Sequence, residues 1–269
     1  MTSFVETATE IAYEAGSLLR YYFERRVRFE MKAEFDLVTE ADRASEKLVI
    51  ERLKRHFPSH GIVAEEGGGH ESDSGYRWFV DPLDGTTNFA HGFPIWNVTL
   101  ALEKGGELIA GVIFDPTRNE MFTAERGSGT FLNGRRVRVS DVARVADSLM
   151  CTGFPNHNRS TNPNIHFFHE LAMTAHGVRR GGSAAIDLAY VASGRLDGFW
   201  EIGLSPWDMA AGILLVEEAG GVCTDMMGVR HHLKSPHLLA DNGAIHEELV
   251  GMFGRIFQGE VLHPMPVTG

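Results

Sequence analysis

The chain has 269 residues, a net charge of −11, 43% hydrophobic residues and 23% charged ones, enough apolar content to bury a sizeable core. An acidic surface without a long basic run repels phosphate backbones and argues against nucleic acid as a direct partner. It still permits a phosphorylated metabolite held through bound cations.

Ser3 and Glu6 have the spacing of a capping box, and Phe4, Ile11, Ala15, Leu18, Tyr22 and Phe23 recur at a helical period. A second helix is expected from Thr39, carrying Ala44, Leu48, Val49 and Leu53 and ending before Pro58. Short buried strands follow at 62–64 and 77–81, and the loop 67–75 is the only segment that reads as mobile. From Trp96 to Val139, apolar runs at 98–102, 108–114 and 120–124 alternate with turn residues, the spacing of an antiparallel meander. Beyond about residue 145 strands alternate with helices. These helices are expected to end at Gly177, Gly194 and Gly220, each glycine suited to a left-handed cap, and a last helix spans 244–257. The expected fold is mixed α and β, with helices layered on two sheets. An N-terminal α+β half (1–142) and a C-terminal α/β half (143–269) make one compact unit.

Cys151 and Cys223 lie far apart, which argues against a disulfide framework or a structural zinc site. The first six residues carry no leader-like segment, and no run approaches the roughly 18 apolar residues of a membrane span. A soluble protein of the reducing cytoplasm, with no membrane partner, is the expectation.

The informative segment is Trp78-Phe79-Val80-Asp81-Pro82-Leu83-Asp84-Gly85-Thr86-Thr87-Asn88-Phe89. An apolar strand runs into two aspartates separated by a proline of fixed φ, so both carboxylates can point at one spot. Gly85 permits a tight turn, and Thr86 and Thr87 open a helix whose free amides suit a phosphate. Glu65-Glu66 follows another apolar strand, and Asp208 lies in the first turn of a helix. Taken singly, each carboxylate reads as a turn former or a cap. Taken together they read differently. Two like charges about 4 Å apart repel by roughly 4 kcal/mol at an effective dielectric of ~20. Four converging carboxylates therefore need protons or cations, and all-oxygen ligands favour magnesium or manganese. His91 and the pair His231-His232 lack partners at zinc-like spacing and read as solvated or packed. Lys32 reads as a surface lysine, and Met226-Met227 as core.

These residues resemble the inositol monophosphatase family. Its first signature is matched without a gap at 81–89 and continues at His91, Phe93 and Pro94. Its second is matched by Trp207-Asp208-Met209-Ala210-Ala211-Gly212 through Gly221, with weaker echoes at 36–42, Glu65-Glu66 and 182–185. The resemblance implies a layered αβαβα sandwich and a homodimer. It implies two or three Mg2+ ions, with Mn2+ as a substitute, on Glu65, Asp81, the Leu83 carbonyl, Asp84 and Asp208. Thr86, backed by Asp42 and assisted by Glu65, would activate the attacking water, and the Gly85 and Thr86 amides would hold phosphate. Gly182, Ser183, Ala184 and Glu201 would contact substrate hydroxyls alongside Asp84 and Asp208. Arg179 or its neighbour Arg180 would reach the ligand, since strand alternation lets only one face it. The implied reaction is lithium-sensitive hydrolysis of inositol monophosphate by in-line attack of water. Histidinol phosphate or a broad range of sugar phosphates is the alternative substrate, and a non-catalytic binding protein the alternative role. Ala64 and Gly67 stand where relatives often carry glycine and serine, a departure that bears on the Glu65 loop.

Overall fold

A computed structural model describes residues 3–25, 29–33, 36–154 and 162–264. Its architecture is five layers, α-β-α-β-α. Helices α1 (Phe4–Glu24) and α2 (Glu40–His56) form the first. The second is a seven-stranded sheet in the order β3-β4-β5-β6-β7-β8-β9. It comprises β3 (Gly61–Ala64), β4 (Tyr76–Asp84), β5 (Asn97–Lys104), β6 (Glu107–Asp115), β7 (Glu120–Glu125), β8 (Gly129–Leu132) and β9 (Arg135–Val137). Helices α5 (Ala184–Ala192) and α6 (Pro206–Glu218) fill the middle. The fourth layer is a five-stranded sheet in the order β11-β10-β12-β14-β13: β11 (Gly177–Arg179), β10 (Leu149–Thr152), β12 (Gly198–Ile202), β14 (His237–Asp241) and β13 (Val222–Thr224). Helices α4 (Asn164–Thr174) and α7 (His246–Phe257) cover its outer face.

Side-chain alternation explains the layering. Trp78 and Val80 of β4 and Leu100 and Leu102 of β5 pack against α1 and α2, whereas Phe79 and Ala101 face α5 and α6. In the second sheet, Cys151, Phe199 and Ala240 face the middle helices, and Met150, Trp200 and Leu239 face α4 and α7. Both sheets are covered on both faces, so their strands read as nearly continuous apolar runs. The middle core joins Phe79 and Ile113 from the first half to Leu188 and Leu214 from the second. Gly212 makes that layer possible, since a Cβ there would meet Leu188 Cβ at 2.5 Å.

The structure adds elements that the sequence pattern left unassigned. The hairpin β1 (Phe29–Ala33) and β2 (Asp36–Thr39) precedes α2, and the side chain of Lys32 lies outside the described residues. Gly177 opens β11 rather than capping a helix, because α4 ends earlier, at Thr174. Gly194 and Gly220 do have left-handed φ, +70° and +90°. The loop expected to be mobile is fastened by paired backbone bonds between Ile62 and His70, both 2.8 Å. Among the described residues no helix is long and apolar enough to cross a membrane.

Candidate metal and phosphate site

The candidate residues gather where β3, β4 and the N-termini of α2, α5 and α6 meet. Strand β4 continues past Pro82 to Asp84, with its pairing to β5 interrupted between Asp81 and Asp84. Asp81 is buried, and its Oδ1 accepts the Leu83 amide at 3.0 Å, an Asx turn that re-aims the strand end. Burial pushes its carboxyl well above the usual carboxylate range, and the charges of Glu65, Asp84 and Asp208 push it further, with a hydrogen bond to Glu65 acting in the same direction.

Asp84 is held from both halves of the chain. Its Oδ2 accepts Ser183 Oγ at 2.6 Å, Asn97 Nδ2 at 3.0 Å and the Ala185 amide at 3.0 Å. Burial raises its pKa even so, against the opposing effect of these donors and of the Gly85 amide. Ser183 is the N-cap of α5, accepting the Ile186 amide at 3.2 Å, so one hydroxyl both starts a helix and orients an aspartate. Asp208 occupies N3 of α6, where its Oδ2 accepts the Ser205 amide at 2.7 Å behind Pro206 at the first turn. Burial raises its pKa well above normal, with the charges of Asp84 and Glu65 adding to the shift.

Thr86 opens the five-residue α3 (Thr86–Ala90). Its hydroxyl lies 2.9 Å from Asp42 Oδ1 and 3.0 Å from the Leu83 carbonyl, two acceptors for one proton. Asp42 is fully buried, and its Oδ2 takes the Thr39 hydroxyl and the Thr39 amide, the latter at 2.8 Å. Desolvation raises its pKa against these donors. Gly85 sits at φ +91°, and a Cβ there would lie 2.8 Å from the Ile95 carbonyl oxygen. Its amide lies on the Asp84 side and favours the ionised form of that carboxyl.

On the second half, Glu201 is buried on β12, and any Cβ at Gly153 would overlap its carboxylate. Burial, followed by Asp208, Asp187 and Asp84, pushes its pKa well up, while Arg180 opposes the shift. Both candidate arginines are exposed: the charge of Arg180 offsets those of Asp187 and Glu201, and Arg179 returns a guanidinium N–H to the Val178 carbonyl at 3.2 Å. Gly182 (φ +85°) and Ala184 flank Ser183 at the start of α5.

Three contributors escaped the sequence reading. Asp187 is buried on α5 with Oδ2 lacking a hydrogen bond, and burial and Asp84 hold its pKa well up. As the single charge in the helix Ala184–Ala192, it carried a legible signal. Asn97 hydrogen-bonds both Asp84 and Ser183. Asn88 ties α3 to the glycine loop, donating to the Ile95 and Gly181 carbonyls at 2.9 Å each.

Among the described residues, no three His, Cys, Asp or Glu side chains form a ready-made cage for an ion. The donor chemistry nevertheless fits a hard divalent cation. Glu65, Asp84 and Asp208 raise the pKa of Asp81, Asp84 and Glu65 raise that of Asp208, and no cationic side chain stands among the main influences on the three aspartates. Such oxygens bind protons or oxygen-seeking cations. His231, by contrast, is held neutral, its pKa lowered to about 4 chiefly by burial, and it lies outside this group.

The sequence matches the Inositol monophosphatase family over residues 1–257. It is 44% identical over 255 residues to the Inositol-1-monophosphatase of Mesorhizobium japonicum, covering 93% of this chain and 95% of that one. It is also 44% identical to the Nus factor SuhB of Pseudomonas aeruginosa, covering 90% and 92%. The solved inositol monophosphatase of Anabaena (Nostoc) sp. superposes with a TM-score of 0.85 at 42% identity, covering 96% and 97%. The chain belongs to the inositol monophosphatase family.

Proposed function

We propose that this protein is a magnesium-dependent phosphatase that hydrolyses a small polyol monophosphate, with inositol monophosphate as the leading substrate. The observation that carries this reading is the gathering of Glu65, Asp84 and Asp208 around the buried Asp81, whose hydrogen bond to Glu65 and whose three like-charged neighbours all raise its pKa. Those four carboxylates and the Leu83 carbonyl would hold two or three Mg2+ ions, with Mn2+ as a substitute. When bound, the ions supply a water of lowered pKa and positive charge against the phosphate oxygens.

The chain's own residues then orient the reactants. With the Leu83 carbonyl turned to a cation, the single Thr86 proton is directed to Asp42, which leaves the Thr86 lone pairs to accept from a water and aim it. Glu65 would serve that water as a proton acceptor. Glu201, buried with a raised pKa, can donate to as well as accept from polyol hydroxyls, and Arg180 lies on the same side. Gly182, Ser183 and Ala184 supply the rest of the wall. The homodimer remains part of this reading and is tested by light scattering.

A panel of phosphate esters, each assayed with and without Mg2+, tests the reading. Release of phosphate from inositol monophosphate only with Mg2+ supports it. Equal or faster turnover of histidinol phosphate overturns the substrate, and no turnover of any ester overturns the activity. The last outcome would favour the second reading, a non-catalytic binding role, which draws on equal identity to the protein named Nus factor SuhB.

A further inference from the structure

The Glu65 loop is fastened from behind by a carboxylate of α2. Glu46 is buried on α2, 6% exposed. Its Oε2 accepts the Glu66 amide at 2.8 Å and its Oε1 accepts the Gly68 amide at 3.0 Å. On the other side of Glu65, its own amide donates to the Val80 carbonyl at 3.3 Å. The two peptide planes flanking Glu65 are therefore each tied down, one to β4 and one to α2. Fixing both planes fixes the φ and ψ of the residue between them, and with them the direction of its Cα–Cβ bond. The approach is close enough to need glycine at 68, where a Cβ would stand 2.7 Å from Glu46 Oε1 and 2.6 Å from Ile50 Cδ1.

We propose that Glu46 is a positioning residue that aims the Glu65 carboxylate at Asp81 and Asp208, and thereby sets the affinity of the cation site. The inference rests on the phosphatase reading above and deepens it. A carboxylate is required because it offers two acceptors; glutamine offers one, and its NH2 would face an N–H.

The test compares the intact protein with Glu46→Gln, using hydrogen exchange of individual amides and calorimetric titration with MgCl2 in the absence of substrate. The expected result is faster exchange at the Glu66 and Gly68 amides, unchanged exchange along β4, and Mg2+ affinity weaker by roughly tenfold or more, the usual effect of losing a residue that orients a ligand. The Mg2+ concentration for half-maximal phosphate release should rise in parallel. Faster amide exchange with native Mg2+ affinity would overturn the proposal, since Glu46 would then only tether the loop. Should Glu46→Gln fail to fold, Gly68→Ala displaces the same carboxylate from the opposite side; weakened Mg2+ affinity supports the proposal and native affinity overturns it. A wild-type protein that binds no Mg2+ would overturn the phosphatase reading itself, a failure visible before any substitution is made.

Discussion

The Ser183 hydroxyl donates to Asp84 Oδ2 at 2.6 Å across 99 residues of chain, joining the first turn of α5 to the end of β4. The same oxygen accepts the Ile186 amide and so caps α5. Removing it in Ser183→Ala should cost about 1 kcal/mol as a lost cap. It should also weaken Mg2+ binding, because Asp84 loses its closest donor and becomes harder to ionise. Thermal unfolding and calorimetric Mg2+ titration together check this; an unchanged affinity would confine Ser183 to capping.

Asp81 is the most crowded of the carboxylates, so neutralising it should separate stability from activity. Asp81→Asn should abolish Mg2+-dependent phosphate release. It should leave the metal-free protein at least as stable as wild type, because the repulsion of Asp81 by Glu65, Asp84 and Asp208 is relieved. Circular dichroism melts beside a phosphate-release assay measure both, and retained activity would end the metal role of Asp81.

The raised carboxyl pKa values fix the sign of the pH dependence. A carboxyl whose folded pKa lies above its unfolded value keeps more protons in the folded state, so its contribution to stability falls as pH rises through that interval. Asp81, Asp84, Asp208, Asp187 and Glu201 all shift this way. The metal-free protein should therefore melt higher near pH ~5.5 than near pH ~8, and saturating Mg2+ should raise the melting temperature more at the higher pH. Melting curves at the two pH values, with EDTA or with MgCl2, give the answer. A larger Mg2+ effect at the lower pH would contradict it.

Thr86 is assigned through its hydroxyl, so Thr86→Ala should lower kcat by about 10²-fold or more, while Thr86→Ser retains most of it. Steady-state kinetics at saturating Mg2+ distinguish the two, and equal loss in both variants would point to the methyl group as the part that matters.

Gly153 offers a handle on the substrate side. Gly153→Ala places a methyl group against the Glu201 carboxylate and should raise KM more than it lowers kcat. An unchanged KM would remove Glu201 from the substrate contacts.

Much of this was legible in local sequence. The capping box at Ser3 and the helix expected from Thr39 mark helix starts, the glycine turns mark the meander, and the run Trp78-Phe79-Val80 marks a buried strand. The segment 81–89 is contiguous, so its aspartates and threonine announce themselves together. The β1–β2 hairpin, by contrast, offers only the short alternation Phe29-Glu30-Met31-Lys32-Ala33, with no glycine, asparagine or proline between its strands to mark a turn. Gly177 looks the same at a helix end and at a strand start, because the residue itself permits both.

Tertiary structure alone decided which distant side chains share one space. Asn97 sits in an apolar strand and Asp187 in an apolar helix; the pairing of β5 with β4 brings the first to Asp84, and closure between the two halves brings the second. The sequence by itself determined the chemical groups and the elements that carry them, because those depend on neighbours a few residues apart. Their convergence, burial and mutual repulsion belong to the folded chain, where charges far apart in sequence are held close in a medium that screens them poorly.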